Sequence, residues 1–165
     1  MPFRANQLLF SADGRNLIAV VAGIAKSSLT VFSFESGAIS GAAETTFTGA
    51  NSYGLHQAAP LLYVIDNDGK RITVSDLRRN VRRSMEIEWG HVTTVNWGTR
   101  GSQIVVGTDT GEALVLDMNR MLAVYKVKTS NVPITAIATS GQLLFLGHAD
   151  GRVSAWDIGT AFTYK

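Results

Sequence analysis

The sequence predicts an all-β fold of four consecutive units, each a four-stranded antiparallel sheet, with the last unit cut short. Three observations carry this. A motif recurs about every forty residues, glycine turns fall at the same place in successive units, and the segments between turns are apolar runs of strand length. Aligned on Asp157, the recurring column reads Ser33, Asp76, Asp117 and Asp157, in steps of 43, 41 and 40 residues.

Each unit opens on a strand-like segment: Gln7 to Phe10, Tyr53 to His56, Val92 to Trp97 and Ile134 to Ala138. A continuous apolar block follows, namely Asn16 to Ala22, Leu61 to Ile65, Gln103 to Val106 and Gln142 to Leu146. Periodicity alone does not separate a buried strand from a buried helix in such a block. The shortness of these blocks, their Val/Ile/Leu content and the flanking turn signals favour strand. In three units a glycine turn comes next: Asn67-Asp68-Gly69, Asp109-Thr110-Gly111 and Ala149-Asp150-Gly151. Glycine takes positive φ without a Cβ clash, and a neighbouring Asp or Asn bonds the turn backbone, so a tight hairpin is expected.

The third strand of each unit runs up to the recurring column: Ser28 to Phe32, Arg71 to Ser75, Ala113 to Leu116 and Val153 to Trp156. A fourth type of segment falls between repeats, as in Ser84 to Trp89 and Met121 to Lys128. In the latter, Val124, Lys126 and Lys128 alternate with Ala123, Tyr125 and Val127, the period of a strand.

Trp156-Asp157 closes the last third strand, Gly90-His91 opens the third unit, and Phe10-Ser11-Ala12-Asp13-Gly14-Arg15 forms a turn in the first. In this the chain resembles the WD-repeat β-propeller family over about Asn6 to Ile158. The resemblance implies a β-propeller-like fold of four consecutive four-stranded antiparallel blades, in one propeller or partial-propeller domain over 1–165. The units fall at about 6–48, 49–89, 90–129 and 130–165. Blades of that family often carry a buried tetrad of His, Ser or Thr, Asp and Trp, and the resemblance carries this role onto His91, Thr108, Asp150 and Trp156. Both tetrads are incomplete: Leu116 replaces Trp and Thr110 sits in the Asp column of the third unit, while His148 and Asn131 interrupt the fourth. These blades are therefore expected to rely on apolar packing, with Trp97, Trp156, Val95, Val105 and Ile137 in the core.

Hydrophobic residues make up 45% of the 165, and Pro only 3, which argues for a packed core and against disorder. The longest apolar run, Leu17 to Ala25, falls short of the about 20 residues that span a bilayer. Met1-Pro2-Phe3-Arg4 shows no signal-peptide pattern, and a cytoplasmic or nuclear location is the expectation. Zero Cys excludes disulfides, thiolate catalysis and cysteine-based metal sites.

Four blades are few for this family. At Ala161 to Lys165 the outer strand of the fourth blade is only expected to begin, and no spare strand is read before Asn6. The expectation is an open edge and an apolar flank covered by other protein chains, whether a heteromeric complex, a homo-oligomer or the remainder of a longer propeller.

Chemistry-bearing motifs give little. No nucleophile elbow, phosphate-binding glycine loop with Lys or paired-His zinc helix occurs, and no catalytic residue, metal or cofactor is assigned. His148 with Asp150 is too small a set for a metal site, and His56 and His91 read as structural. The pairs Asp66 with Asp68 and Glu86 with Glu88 read as a turn and a solvated strand face, without the contrasting environments acid-base catalysis needs.

Charge is the one local feature above background. Lys70, Arg71, Arg78, Arg79, Arg82 and Arg83 place six of the 15 basic residues within fourteen positions, and the stretch Leu77 to Arg83 is expected to be a loop. Arginine forks match carboxylates and phosphates bidentately; the other reading is a solvated loop whose charge protects an edge. A net charge of +2 does not support a broad nucleic-acid footprint. The functional expectation is a non-enzymatic protein-protein interaction scaffold of the WD-repeat type within a larger assembly. The alternative is an RNA- or anionic-lipid-associated module holding phosphate through Arg78 to Arg83.

Overall fold

The computed structural model describes residues 5, 7–21, 27–47, 53–98 and 102–159; Met1 to Arg4, Asn6, Ala22 to Ala25 and Ala161 to Lys165, used in the sequence reading, lie outside these. Fifteen strands form four antiparallel sheets among the described residues. The first holds β1 (Gln7–Phe10), β2 (Asn16–Val21), β3 (Ser27–Glu35) and β4 (Ala38–Phe47). The second holds β5 (Tyr53–Leu55), β6 (Leu61–Asp66), β7 (Arg71–Asp76) and β8 (Val81–Glu86). The third holds β9 (Val92–Trp97), β10 (Gln103–Thr108), β11 (Glu112–Asp117) and β12 (Leu122–Lys128). The fourth holds β13 (Ile134–Ser140), β14 (Leu143–His148) and β15 (Val153–Asp157). Each sheet follows chain order, so every connection is a hairpin. The chain divides into two compact units, Met1–Arg83 and Ser84–Lys165.

In the first unit the core lies between two sheets. Ile18 and Val20 of β2 and Leu29 and Val31 of β3 cluster with Leu62 and Val64 of β6, flanked by Tyr53, Leu55 and Leu77. In the second unit Val105, Ala113 and Val115 cluster with Ile134, Leu144, Leu146 and Ile158, flanked by Ile137 and Trp156. Polar side chains lace the innermost strands of that unit together. Thr93 Oγ1 donates to the Ile134 carbonyl at 2.5 Å, Asn96 Nδ2 to the Ile137 carbonyl at 3.1 Å and Thr139 Oγ1 to the Trp97 carbonyl at 3.4 Å. Of the five residues expected in the core, Val105 is fully buried, Ile137 and Trp156 pack on its cluster, and Val95 and Trp97 are half-buried.

The repeat has a physical basis in two recurring interactions. The residue after the recurring column donates its N–H to a carbonyl just before the second strand: Phe34 to Arg15, Leu77 to Pro60, Met118 to Ser102 and Ile158 to Gln142, all at 2.8 to 3.0 Å. The column's carboxylate then caps the turn that leaves the third strand. Asp76 Oδ1 accepts from the N–H groups of Arg78 and Arg79, Asp117 Oδ1 from those of Asn119 and Arg120, and Asp157 Oδ1 from that of Gly159. Ser33 is too short for this, and its hydroxyl donates to Asn16 Oδ1 instead.

The outer strands depart from the sequence reading. In the second sheet the outer strand is Val81–Glu86, three residues earlier than the expected Ser84 to Trp89, because the Asp76 cap closes the turn by Asn80 (φ 54°). Arg82 and Arg83 consequently sit on a strand, and only Arg78 and Arg79 on the turn. In the first sheet β4 is an outer strand that no sequence pattern marked, since its residues from Ala38 to Ala43 are small apart from the single β-branched Ile39 and show no alternation.

Turn glycines differ in what surrounds them. Gly111 and Gly151 both hold positive φ, 81° and 84°. A Cβ on Gly111 would lie 2.4 Å from the Ser130 carbonyl, backbone that Thr129 ties back through its N–H to the Gly111 carbonyl, whereas Gly151 faces open space. Gly151→Ala should therefore lower unfolding free energy by about 1–2 kcal/mol, the left-handed backbone cost. Gly111→Ala should cost more than that, as read by denaturant titration; equal losses would contradict the crowding.

Candidate functional site

The cluster of basic residues does not act as one surface. Asp76 and Arg79 form a turn unit in which Arg79 Nε lies 3.8 Å from Asp76 Oδ2, and Asp117 with Arg120 repeats it at 4.0 Å in the third sheet. Arg79 therefore has a structural counterpart where no basic cluster exists. Arg82 and Arg83 alternate along β8, so the pleat sends them to opposite faces. Lys70 is exposed after the turn Asn67–Gly69, and Arg71 is half-buried at the start of β7.

Arg78 and Arg82 are brought together. With Asn80 they stand at one side of an open cleft of about 370 Å³ between the first two sheets. Its floor is apolar, made of Leu29, Val31, Leu62 and Val64 from the two facing sheets. Its polar wall is Ser33, Thr73, Ser75 and Asp76. Both arginines are exposed, so they meet solvent above a floor that does not. The cleft can take an aliphatic side chain below and a carboxylate or phosphate at the rim. The sequence showed the charge but not the floor, because Leu29 and Val31 come from a different sheet some fifty residues away.

The tetrad-like residues form separate small networks. Asp109 Oδ1 accepts the His91 N–H at 2.8 Å, and its Oδ2 lies 3.1 Å from His91 Nδ1. Burial raises the Asp109 pKa, but those bonds to His91 outweigh it and hold the group below its ordinary 3.8. Thr108 is fully buried, and its hydroxyl meets Thr110 Oγ1 at 2.8 Å, which in turn donates to the Trp89 carbonyl. In the fourth sheet His148 Nε2 lies 2.9 Å from Ser154 Oγ, and the Trp156 indole donates to the same hydroxyl at 3.1 Å. Ser154, unmarked in the sequence, joins His148 to Trp156.

Asp150 stands apart from that network, its Oδ2 2.7 Å from Arg152 Nε at the exposed hairpin. His148 and Asp150 thus spend their polar atoms on different partners. His56 Nδ1 accepts the Ala58 N–H at 3.0 Å, and burial lowers its pKa, which suits a neutral turn residue. Trp89 carries Lys126 Nζ 5.1 Å above its ring, and that ammonium also pairs with Glu112 at 3.1 Å. The side chain of Asp66 lies outside the described residues; Asp68 is exposed at φ 54°, and Glu86 and Glu88 are exposed. Among the described residues no three His, Asp or Glu side chains are grouped to hold a metal, and no helix is long and apolar enough to cross a membrane.

The arrangement of chain-ordered antiparallel sheets matches solved structures. The fold is that of a β-propeller. Hsv2 of Kluyveromyces lactis, a yeast seven-bladed propeller, aligns at TM-score 0.71 and 11% identity over 93% of this chain and 49% of its own. The same protein with a complete loop 6CD aligns at 0.75 and 12% over 96% and 49%. Hsv2 of Kluyveromyces marxianus aligns at 0.70 and 10% over 96% and 50%. The chain thus spans about half the length of these structures. No family description and no curated protein matches the sequence.

The His91–Asp109 pair gives a pH signature. Because the folded pKa of Asp109 is depressed, its contribution is present above the unfolded value of 3.8 and lost as pH falls through the lower folded value. Asp109→Asn should destabilise by under about 1 kcal/mol near neutrality, as suits an exposed pair. The gap from the unsubstituted protein should narrow progressively in melts taken at successively lower pH below 3.8; a gap constant with pH would place the effect elsewhere.

Proposed function

We propose that this chain is a non-enzymatic protein-protein interaction scaffold of the WD-repeat type, working as one component of a larger assembly. Its recognition element is the cleft between the first two sheets. One observation carries the reading: Arg78 and Arg82 rise over the apolar floor of Leu29, Val31, Leu62 and Val64. That combination favours an acidic peptide segment with aliphatic residues over a free phosphate, which needs no such floor. The strand position of Arg82 adds rigidity, since an arginine on a paired strand loses less freedom on binding than one on a loop. The alternative, an RNA- or anionic-lipid-associated module, draws on the same two guanidinium groups without the floor.

Anisotropy with a labelled peptide of alternating Glu and Leu, single-stranded RNA and anionic vesicles separates the two. The scaffold reading expects peptide binding that Arg78→Ser with Arg82→Ser weakens by about tenfold or more, in line with two charge-assisted contacts. Arg79→Ser should leave it near the original value, because that side chain belongs to the Asp76 turn. Loss of RNA or vesicle binding in the same double variant, steep in salt and with no peptide bound, would move the function to the alternative.

A further inference from the structure

The two compact units hold equivalent cores, and the ladders put their residues in register. In the first unit Val31 lies opposite Ile18 and Leu62 opposite Ser75. In the second, Val115 lies opposite Val105 and Leu144 opposite Trp156. Val31 and Leu62 belong to one core, Val115 and Leu144 to the other. Ser75 therefore holds in the second sheet the place that Trp156 holds in the fourth, one residue before the recurring Asp. The same place is Phe32 opposite Leu17 in the first sheet and Leu116 opposite Ile104 in the third, so Ser75 alone is small and polar there.

In the second unit aromatic side chains cover the core at these places. Trp156 packs against it, and so does Tyr125 of β12, which lies opposite Val115. The first unit has neither aromatic: Ser75 stands in place of Trp156, and Ala43 lies opposite Val31. Two residues along, Gly41 lies opposite Ser33, whereas the third sheet has Leu122 opposite Asp117. A Cβ built on Gly41 would meet nothing within 4 Å. Ser33, Gly41 and Ser75 all line the cleft of about 370 Å³ over Val31 and Leu62. The cleft is thus the space that Trp156 and Tyr125 take up in the second unit, opened in the first by small residues on both of its sheets.

The hydrogen-bond acceptor for an indole is repeated as well. In the fourth sheet the Trp156 indole donates to Ser154 Oγ at 3.1 Å, and Ser154 lies opposite Leu146. The corresponding residue of the second sheet is Thr73, opposite Val64, and it too lines the cleft. A hydroxyl has two acceptor lone pairs, so Thr73 offers there what Ser154 offers Trp156.

We infer that this cleft is an aromatic site: resting on the scaffold reading above, it takes a side chain of indole size from the bound peptide, better than an aliphatic one. The ring lies on Val31 and Leu62 as Trp156 lies on its own core, and buries apolar area that a phosphate or carboxylate cannot. An aromatic side chain set in a desolvated pocket is the usual strong anchor of an interface. Arg78 and Arg82 then meet acidic residues flanking the anchor. Asp76 also lines the cleft, but its Oδ1 is engaged by the N–H groups of Arg78 and Arg79.

Anisotropy with labelled peptides of alternating Glu and Leu, in which one central Leu is kept or replaced by Trp, reads the anchor. The Trp peptide should bind at least about tenfold tighter than its Leu parent. Ser75→Trp fills the cleft from within and should weaken the Trp peptide by about tenfold or more, with no fall in melting temperature. Ser75→Leu, which copies Leu116 of the third sheet, repeats the test if circular dichroism shows Ser75→Trp misfolded. N-acetyl-tryptophanamide, which carries no charge, should bind the unsubstituted chain and lose that binding in the same variants. Trp and Leu peptides of equal affinity, or a Trp peptide indifferent to Ser75, would overturn the aromatic site and leave the scaffold reading standing. N-acetyl-tryptophanamide held in a Ser75-dependent way, with no peptide bound, would uphold the aromatic site and remove the scaffold reading; neither ligand bound would overturn both.

Discussion

A sheet apolar on both faces is stable only between two others, and that constraint organises this chain. Ile18 and Val31 make one face of a strand pair apolar, and Leu17 and Phe32 make its other face apolar too. A two-sided helix-free sheet of this kind must be stacked. Stacking fixes where the polar groups go: into turns, as with Asp76, Asp117 and Asp157, or into lacing between inner strands, as with Thr93 and Asn96. The buried side chains of Thr108 and His148 are held within local hydrogen-bond networks.

The cleft proposed for recognition lies at the margin of the first two sheets. Beside β8, Arg78 and Arg82 stand in solvent at the rim of a cleft whose apolar floor is buried. The division of the arginines follows from the same turn chemistry that sets the repeat. Asp76 engages Arg79 as Asp117 engages Arg120, which leaves the arginine one residue earlier and the first arginine of the strand to face the cleft.

The recurring column, the glycine hairpins and the apolar strands were legible in sequence because each depends on residues close together in the chain. Gly69, Gly111 and Gly151 hold positive φ as their turns required. The outer strands were harder to read: β4 opens on a segment from Ala38 to Ala43 in which only Ile39 is large, and β8 starts where the Asp76 cap ends the turn rather than where hydrophobicity rises. Of the site, the charge was visible and the geometry was not, since Leu29 and Val31 of the floor under Arg78 and Arg82 come from another sheet. Ser154 escaped notice for a related reason. A lone serine carries no signal until His148 and Trp156 converge on it.

Packing between facing sheets, more than bonding within each, stabilises this fold. A double-mutant cycle joining Val115→Ala in the third sheet to Leu146→Ala in the fourth, two members of one core cluster, measures this most directly. Direct packing between the two side chains should give a coupling energy of about 0.5–3 kcal/mol between the substitutions, whereas losses that add to within about 0.3–0.5 kcal/mol would contradict it.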